Sequence, residues 1–350
     1  MNILLLGHLG DKQSAIYVGN AFTELGHHTV GVSVREIIAT YGTIEGQNKV
    51  LEEIDKQKII PDIVLVLKGL TLQLSTLNKI KEKFPNAIFV NWFFDIHIQG
   101  IPIWENKSYF DTINFFDYYF CKLGGAVDRL KKLGFTNVHY LDEACSPKHN
   151  GNAYMNYYQS KNIGSDVGFC GSLGFFNTHP LRIKYLSKII KSGYDLKVWG
   201  DVICDWKAIP KEIKEVHQQS IPINSMHSRV VQSTLINLGI DADSTLRMGH
   251  SARLYRVMCA GALYLSTPTN GVNTLFKVNK VDEPLTGDEE LVFFYSEEDL
   301  ISKLDFLLEH DYIRQKIAEN GQKAVLANHK FTDRITEMLK IIGDKNENDS

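Results

Sequence analysis

Short, almost wholly apolar runs, each followed by a segment of helical periodicity, recur along this chain and fix its fold class. The first is 2–7, with a helical stretch over 14–25 and a second run at 29–34. Further runs stand at 63–67, 87–92, 118–121 and 138–141, with helical segments at 74–83 and 125–133 among them. A strand apolar on both sides must be covered on both faces, which places it in a parallel sheet between helical layers. A polar stretch, 146–164, interrupts the rhythm and predicts a linker, after which the pattern restarts with a strand over 166–171, a helix over 181–191 and a strand over 195–200. Helical segments follow at 213–219 and 225–234. At 350 residues the chain is long enough for two such domains. The expectation is an α/β protein of two Rossmann-like, doubly wound parallel-sheet domains facing a central cleft. The first covers residues 1–155 and the second 156–328. Residues 329–350 form a terminal segment whose helix spans 332–342 and whose last eight residues, 343–350, are too polar to pack.

The stretch 235–276 is the most specific part of the second domain. It reads as a strand, a polar loop containing glycine, a helix opening at Ser251, a small-residue stop at Ala260-Gly261-Ala262 and another strand over 263–266. Arg253 and Arg256 fall in the first turns of that helix, where the backbone dipole already presents positive charge. A bound phosphate would relieve the conflict, and so would exposure to water or pairing with an acidic residue.

Composition excludes several classes. A net charge of −3 carries no footprint of a general nucleic-acid or anionic-membrane binder. The five cysteines are scattered, odd in number and lack C-x-x-C spacing, which suits reduced thiols in a cytoplasmic protein. The opening MNILLLGHLGDKQS has neither a basic leader nor a run long enough to span a bilayer, and predicts a buried first strand.

Candidate chemistry lies at strand ends. Gly7-His8-Leu9-Gly10 is one glycine short of a dinucleotide fingerprint, which argues against an NAD enzyme but leaves a backbone a ligand could approach; a plain βα turn is the alternative. Asp95 follows a run of apolar and aromatic positions, so desolvation would raise its pKa toward that of a general base, with His97 orienting it or a substrate. A turn-capping role for Asp95 is the structural alternative, and Asp11 is another candidate base. The strand over 166–171 runs into a glycine-rich loop in which the N–H groups of Gly171 and Ser172, with Arg182 from the next helix, could cradle a diphosphate. Asp241 and Asp243 have the spacing of a divalent-metal clamp but read better as a solvated loop. The 12 histidines show no zinc spacing.

The C-terminal half resembles the CgeB-like (spore-protein) glycosyltransferases of the GT-B fold. The matching pieces are DVGFCGS at 166–172, LKVWG at 196–200, INL at 236–238, RLYRVMCAG at 253–261 and the stretch from IAENG at 317–321 to HKF at 329–331. The layout is also similar to the phage DNA β-glucosyltransferase, with Phe94-Asp95-Ile96 matching the strand-end segment of its base. The resemblance implies a nucleotide-diphospho-sugar donor, such as a UDP- or GDP-sugar, in the second domain and a hydroxyl acceptor in the first. It also implies a terminal helix crossing back to the first domain. Gly171, Ser172, Arg182, Ser251, Arg253 and Arg256 would line the donor site, Gly7, His8 and Gly10 the facing loop, and Asp95 would act as base in an inverting transfer; if Asp95 is not the base, a retaining route is open. No tightly bound cofactor or metal is implied; Mg2+ could assist the diphosphate. The acceptor could be a small molecule, glycan, protein, lipid-linked group or DNA. One departure stands out: the position of Arg256 usually carries a glutamate, and an arginine accepts no hydrogen bonds. A neighbouring carboxylate, a different donor, or a binding protein without turnover would each accommodate it. A nucleotide-sugar 2-epimerase is the alternative enzyme on the same fold.

Overall fold

A computed structural model of the chain describes residues 1–10, 14–94, 112–151, 163–174, 179–221, 224–241 and 246–348. The chain forms two compact units, Met1–Glu143 with Phe331–Ser350, and Ala144–Lys330.

The first unit is built on strands β1 (Asn2–Gly7), β2 (His28–Ser33), β3 (Ile63–Leu67), β4 (Ile88–Phe93), β5 (Tyr118–Cys121) and β6 (Val138–Tyr140). They form one parallel sheet in the order β2-β1-β3-β4-β5-β6. Helices α1 (Ala15–Glu24), α2 (Val34–Tyr41), α3 (Thr43–Lys56), α4 (Leu74–Lys83) and α5 (Gly124–Lys132) connect them. β3 and β5 are buried at every position, as strands covered on both faces must be. One core cluster runs from Leu4 and Leu6 through Val64, Val66 and Phe89 to Tyr119 and Val138.

The second unit repeats the plan. Strands β7 (Ser165–Cys170), β8 (Leu196–Trp199), β9 (Thr234–Gly239), β10 (Tyr264–Ser266) and β11 (Val292–Phe293) form a parallel sheet in the order β11-β10-β9-β7-β8. Its helices are α6 (Pro147–Asn150), α7 (His179–Lys191), α8 (Lys211–Val216), α9 (Ser225–Gln232), α10 (Arg253–Cys259), α11 (Glu297–Glu309) and α12 (Asp311–Asn328). Two core clusters serve it, one around Phe169, Leu238 and Phe294, the other around Leu254, Tyr255 and Phe276. Both units are thus doubly wound α/β sheets. In each, the strand order reverses beside its first strand, between β1 and β3 and between β7 and β9. Loops leaving a parallel sheet at such a switch point diverge and leave a crevice beyond the carboxyl ends.

The last helix, α13 (Phe331–Asn348), packs with the first unit. Phe331 lies 6.1 Å from Tyr17 and 6.2 Å from Trp92 between ring centroids. Arg334 Nε donates to the Glu143 carbonyl at 3.2 Å, and Tyr118 donates its hydroxyl hydrogen to the Ile342 carbonyl at 3.1 Å. The helix continues to Asn348, so residues 343–348, expected to be unstructured, are helical. Once a helix is nucleated by a packed stretch, each added residue gains a hydrogen bond for little further ordering, and polarity alone does not stop it.

Candidate functional site

The second unit's switch point brings two arginines, Arg182 and Arg253, to the strand ends beside one glycine. Phe169 and Cys170 end β7, and Gly171 follows. The Gly171 N–H donates to the Trp199 carbonyl at 2.7 Å, so it continues the sheet and is not offered to a ligand, contrary to the cradle expected of it. The glycine is needed for a different reason: a Cβ there would overlap the Arg253 guanidinium and stand 2.8 Å from the Phe169 ring. Gly200 (φ +150°) is its counterpart, since a Cβ at that position would overlap the Gly171 carbonyl.

Arg253 opens α10 and is 9% exposed. Its Nε donates to the Cys170 carbonyl at 2.5 Å, and the guanidinium carbon lies 4.7 Å from the Phe169 ring centroid. Nη1 has no hydrogen-bond partner and is 3.8 Å from Asp241 Oδ1. Arg182, on α7, is tied to the strand ends. Its Nε donates to the Ile240 carbonyl at 3.0 Å, and its Nη1 donates to the Ser172 carbonyl at 2.7 Å and to Ser172 Oγ at 3.3 Å. Burial first, then Arg253, pushes the Arg182 pKa down to about 10, which leaves it cationic at neutral pH. Arg256 follows Arg253 by one turn. His227 on α9 is 4% exposed, and burial, then Arg256 and Arg253, push its pKa down to about 3, so it is neutral. Asp241 lies 3.8 Å from Arg253 Nη1, and its charge also acts on Arg182. Two guanidinium groups at this edge suit an anion.

Ser251 precedes the helix rather than opening it; its carbonyl accepts the Leu254 N–H at 3.2 Å and its Oγ is buried without a partner. α10 is only 7 residues long because Ala260-Gly261 ends it, with Gly261 at φ +73°. Gln322 and Gln232 donate side-chain N–H bonds to the Cys259 and Ala260 carbonyls at 2.9 and 2.8 Å.

In the first unit, Gly7 closes β1 against β3, where a Cβ would come 3.2 Å from Leu67 Cβ. His8 Nε2 is 2.5 Å from Glu36 Oε1, and Ser33 Oγ donates to the other oxygen of Glu36 while accepting the Leu9 N–H at 3.1 Å. Gly10 lies beside this pair, its Cβ direction 3.2 Å from His8 Nε2. Burial, with Arg35 and Lys68, lowers the His8 pKa despite Glu36, so the imidazole is neutral and able to take a proton. Lys68 holds a left-handed backbone (φ 63°) at the end of β3. Asp95 and His97 lie outside the described residues, as do Asp11 and Asp243. β4, which leads to Asp95, is buried from Phe89 to Phe93.

Sequence reasoning missed three partners. Glu36 carried a signal, the Ser33-x-x-Glu36 spacing of a helix-capping box. Here the two side chains bond each other, and Glu36 reaches His8. Asp241 was expected in a solvated loop and is instead 4% exposed, because it directly continues the apolar strand end Leu238-Gly239-Ile240. His227 had no signal beyond helical periodicity. Among the described residues, no group of three or more His, Cys, Asp or Glu is placed to hold a metal ion, and no helix is long and apolar enough to cross a membrane.

A family profile described as glycosyl transferase-like matches residues 182–340, the segment that carries Arg182, Asp241, Arg253 and Arg256. No curated protein matches the sequence. Among solved structures, the chain is similar to a sucrose-phosphate synthase from Thermosynechococcus elongatus at 9% identity and a TM-score of 0.65, over 99% of both chains. The catalytic domain of starch synthase IV from Arabidopsis thaliana, bound to ADP and acarbose, gives 9% identity and 0.63, over 96% of this chain and 99% of that one. A UDP-N-acetylglucosamine 2-epimerase assigned in Listeria monocytogenes gives 12% and 0.54, over 98% and 97%. The fold is of the GT-B type. It is shared by glycosyltransferases and nucleotide-sugar epimerases, and at these identities the likeness speaks for the fold alone.

Proposed function

We propose that the protein is a glycosyltransferase that moves a sugar from a nucleotide-diphospho-sugar, held by the second unit, to a hydroxyl acceptor held by the first. The observation that carries this reading is the meeting of Arg182 and Arg253 at the switch point of the second sheet, with the buried Asp241 beside Arg253. Arg253 is preorganised by Cys170 and Phe169 with one nitrogen unused, an arrangement suited to the charge that develops on a departing diphosphate. In the reaction the acceptor oxygen bonds to the anomeric carbon, the bond from that carbon to the diphosphate oxygen breaks, and the acceptor proton passes to a base. Asp95 is the base of this reading, and the transfer is then inverting. His8, held by Glu36, is a second group able to take the proton. The CgeB-like resemblance supports a UDP- or GDP-sugar as donor.

Calorimetry with UDP, GDP, CDP, ADP and dTDP, with and without magnesium, tests the donor site. One nucleoside diphosphate should bind saturably, and Arg253→Ala should weaken it roughly 10- to 100-fold, the worth of a charge-assisted bond. Binding unaffected by Arg253→Ala would overturn the site. Asp95→Asn should abolish transfer while sparing donor affinity, and His8→Ala should do so if the imidazole is the base. Donor recovered with an inverted C2 centre in the absence of acceptor would replace transfer with 2-epimerisation. Binding without any turnover would leave a nucleotide-sugar-binding protein.

A further inference from the structure

Four carboxylates among the described residues are buried to 5% exposure or less: Asp142, Glu143, Asp241 and Glu289. Three are supplied with hydrogen bonds. Asp142 accepts from the Tyr140 hydroxyl at 2.9 Å and the Glu143 N–H at 2.7 Å. Glu143 accepts from Lys122 Nζ at 3.0 Å and Ser14 Oγ at 3.3 Å. Glu289 accepts from the N–H groups of Thr286 and Gly287 at 3.2 and 2.9 Å. Asp241 is the exception, because neither of its oxygens has a hydrogen-bond partner.

Its surroundings make the exception specific. Arg253 Nη1, at 3.8 Å, offsets the charge but is too far to fill a lone pair. The side chain is 1% exposed, so bulk water does not fill the deficit either. Thr267 Oγ1, on the neighbouring strand end whose backbone N–H pairs with the Gly239 carbonyl at 2.8 Å, is likewise buried without a partner. Buried polar groups in native proteins are satisfied, and a group left open at a strand-end switch point awaits a ligand. A cation does not suit it, since the Arg253 guanidinium already stands beside it. The fitting partner is a neutral O–H donor belonging to a molecule whose negative part goes to the arginines.

We propose that Asp241 is the carboxylate that recognises a sugar hydroxyl adjacent to the phosphate-bearing carbon, and thereby selects donors with a free hydroxyl at C2. This rests on the donor-site reading above. The spacing decides between the two hydroxyl-bearing parts of such a donor. A phosphate on Arg253 and a hydroxyl on Asp241 must be near neighbours in the ligand, which the C2 hydroxyl of a glycosyl phosphate is and the ribose diol is not.

The test compares a nucleoside diphosphate, its glucose ester and its 2-deoxyglucose ester by calorimetry on wild type and Asp241→Asn, using whichever nucleotide base wild type binds. Wild type should bind the glucose ester at least 10-fold tighter than the 2-deoxyglucose ester. Asp241→Asn should abolish that difference between the two esters. The ligand-side comparison on wild type stands even if the variant fails to fold. Equal affinity of wild type for the two esters overturns the proposal, as does an equal loss of all three ligands in Asp241→Asn, which would make the residue a support for Arg253 or a ribose contact. Absence of any nucleoside diphosphate binding by wild type overturns the donor-site reading, and this proposal with it.

Discussion

Gly171 and Arg253 occupy each other's space. The guanidinium lies where a Cβ on residue 171 would stand, so Gly171→Ala should displace Arg253 from Phe169 and Cys170 and weaken nucleoside diphosphate binding about as much as Arg253→Ala does. A calorimetric titration of both variants checks this, and an alanine at 171 that binds normally would show the guanidinium to be free to move. Beside them, His227 stays neutral in the folded protein although the unfolded chain protonates it near pH 6.5. The unfolded state therefore binds the extra proton, and stability is whole above about pH 6.5 and lost progressively as pH falls toward 3. Between pH 6.5 and 5 the loss should be about 2 kcal/mol, from 1.36 kcal/mol per pH unit, in urea unfolding; His227→Gln should flatten that limb. The arginines were legible from their place after glycine-rich strand ends. What they touch was not, because Asp241 and His227 reach the site from segments whose local pattern is that of any strand end and any amphipathic helix.

At the scale of elements, strands were the most legible part, since burial on both faces leaves an unbroken apolar run. β3 and β5 fall where the runs place them, at 63–67 and 118–121. The α2–α3 hairpin was not legible: Val34, Ile37, Ile38 and Thr40 blur helical propensity, and Gly42 separates two short helices. Nor does local sequence show that α13 joins the first unit, because the partners of Phe331 are Tyr17 and Trp92, far off along the chain. Phe331 is 2% exposed, and Phe331→Ala should destabilise the first unit by about 3–5 kcal/mol through the cavity left behind. Denaturant unfolding followed by Trp92 fluorescence measures it; a change under 1 kcal/mol would mean that the helix is only loosely docked.

For the whole molecule, two units with separate cores predict two unfolding transitions rather than one. A nucleoside diphosphate at 100 times its dissociation constant should raise the transition of the second unit by about 2.7 kcal/mol and leave that of the first unchanged. Calorimetric scans with and without nucleotide distinguish this from a single coupled transition. The duplication of a doubly wound plan was legible from the rhythm of apolar runs. The interleaved order of the chain, with the first unit closed by residues that follow the second, was suggested only by family resemblance.

That interleaving sets a timetable for synthesis. Tyr17 and Trp92 leave the ribosome long before Phe331, and all of Ala144–Lys330 must be translated in between. At 5–20 residues per second the wait is roughly 10–40 s. The second unit is continuous in sequence, whereas the nascent first unit carries an uncovered aromatic face for that interval.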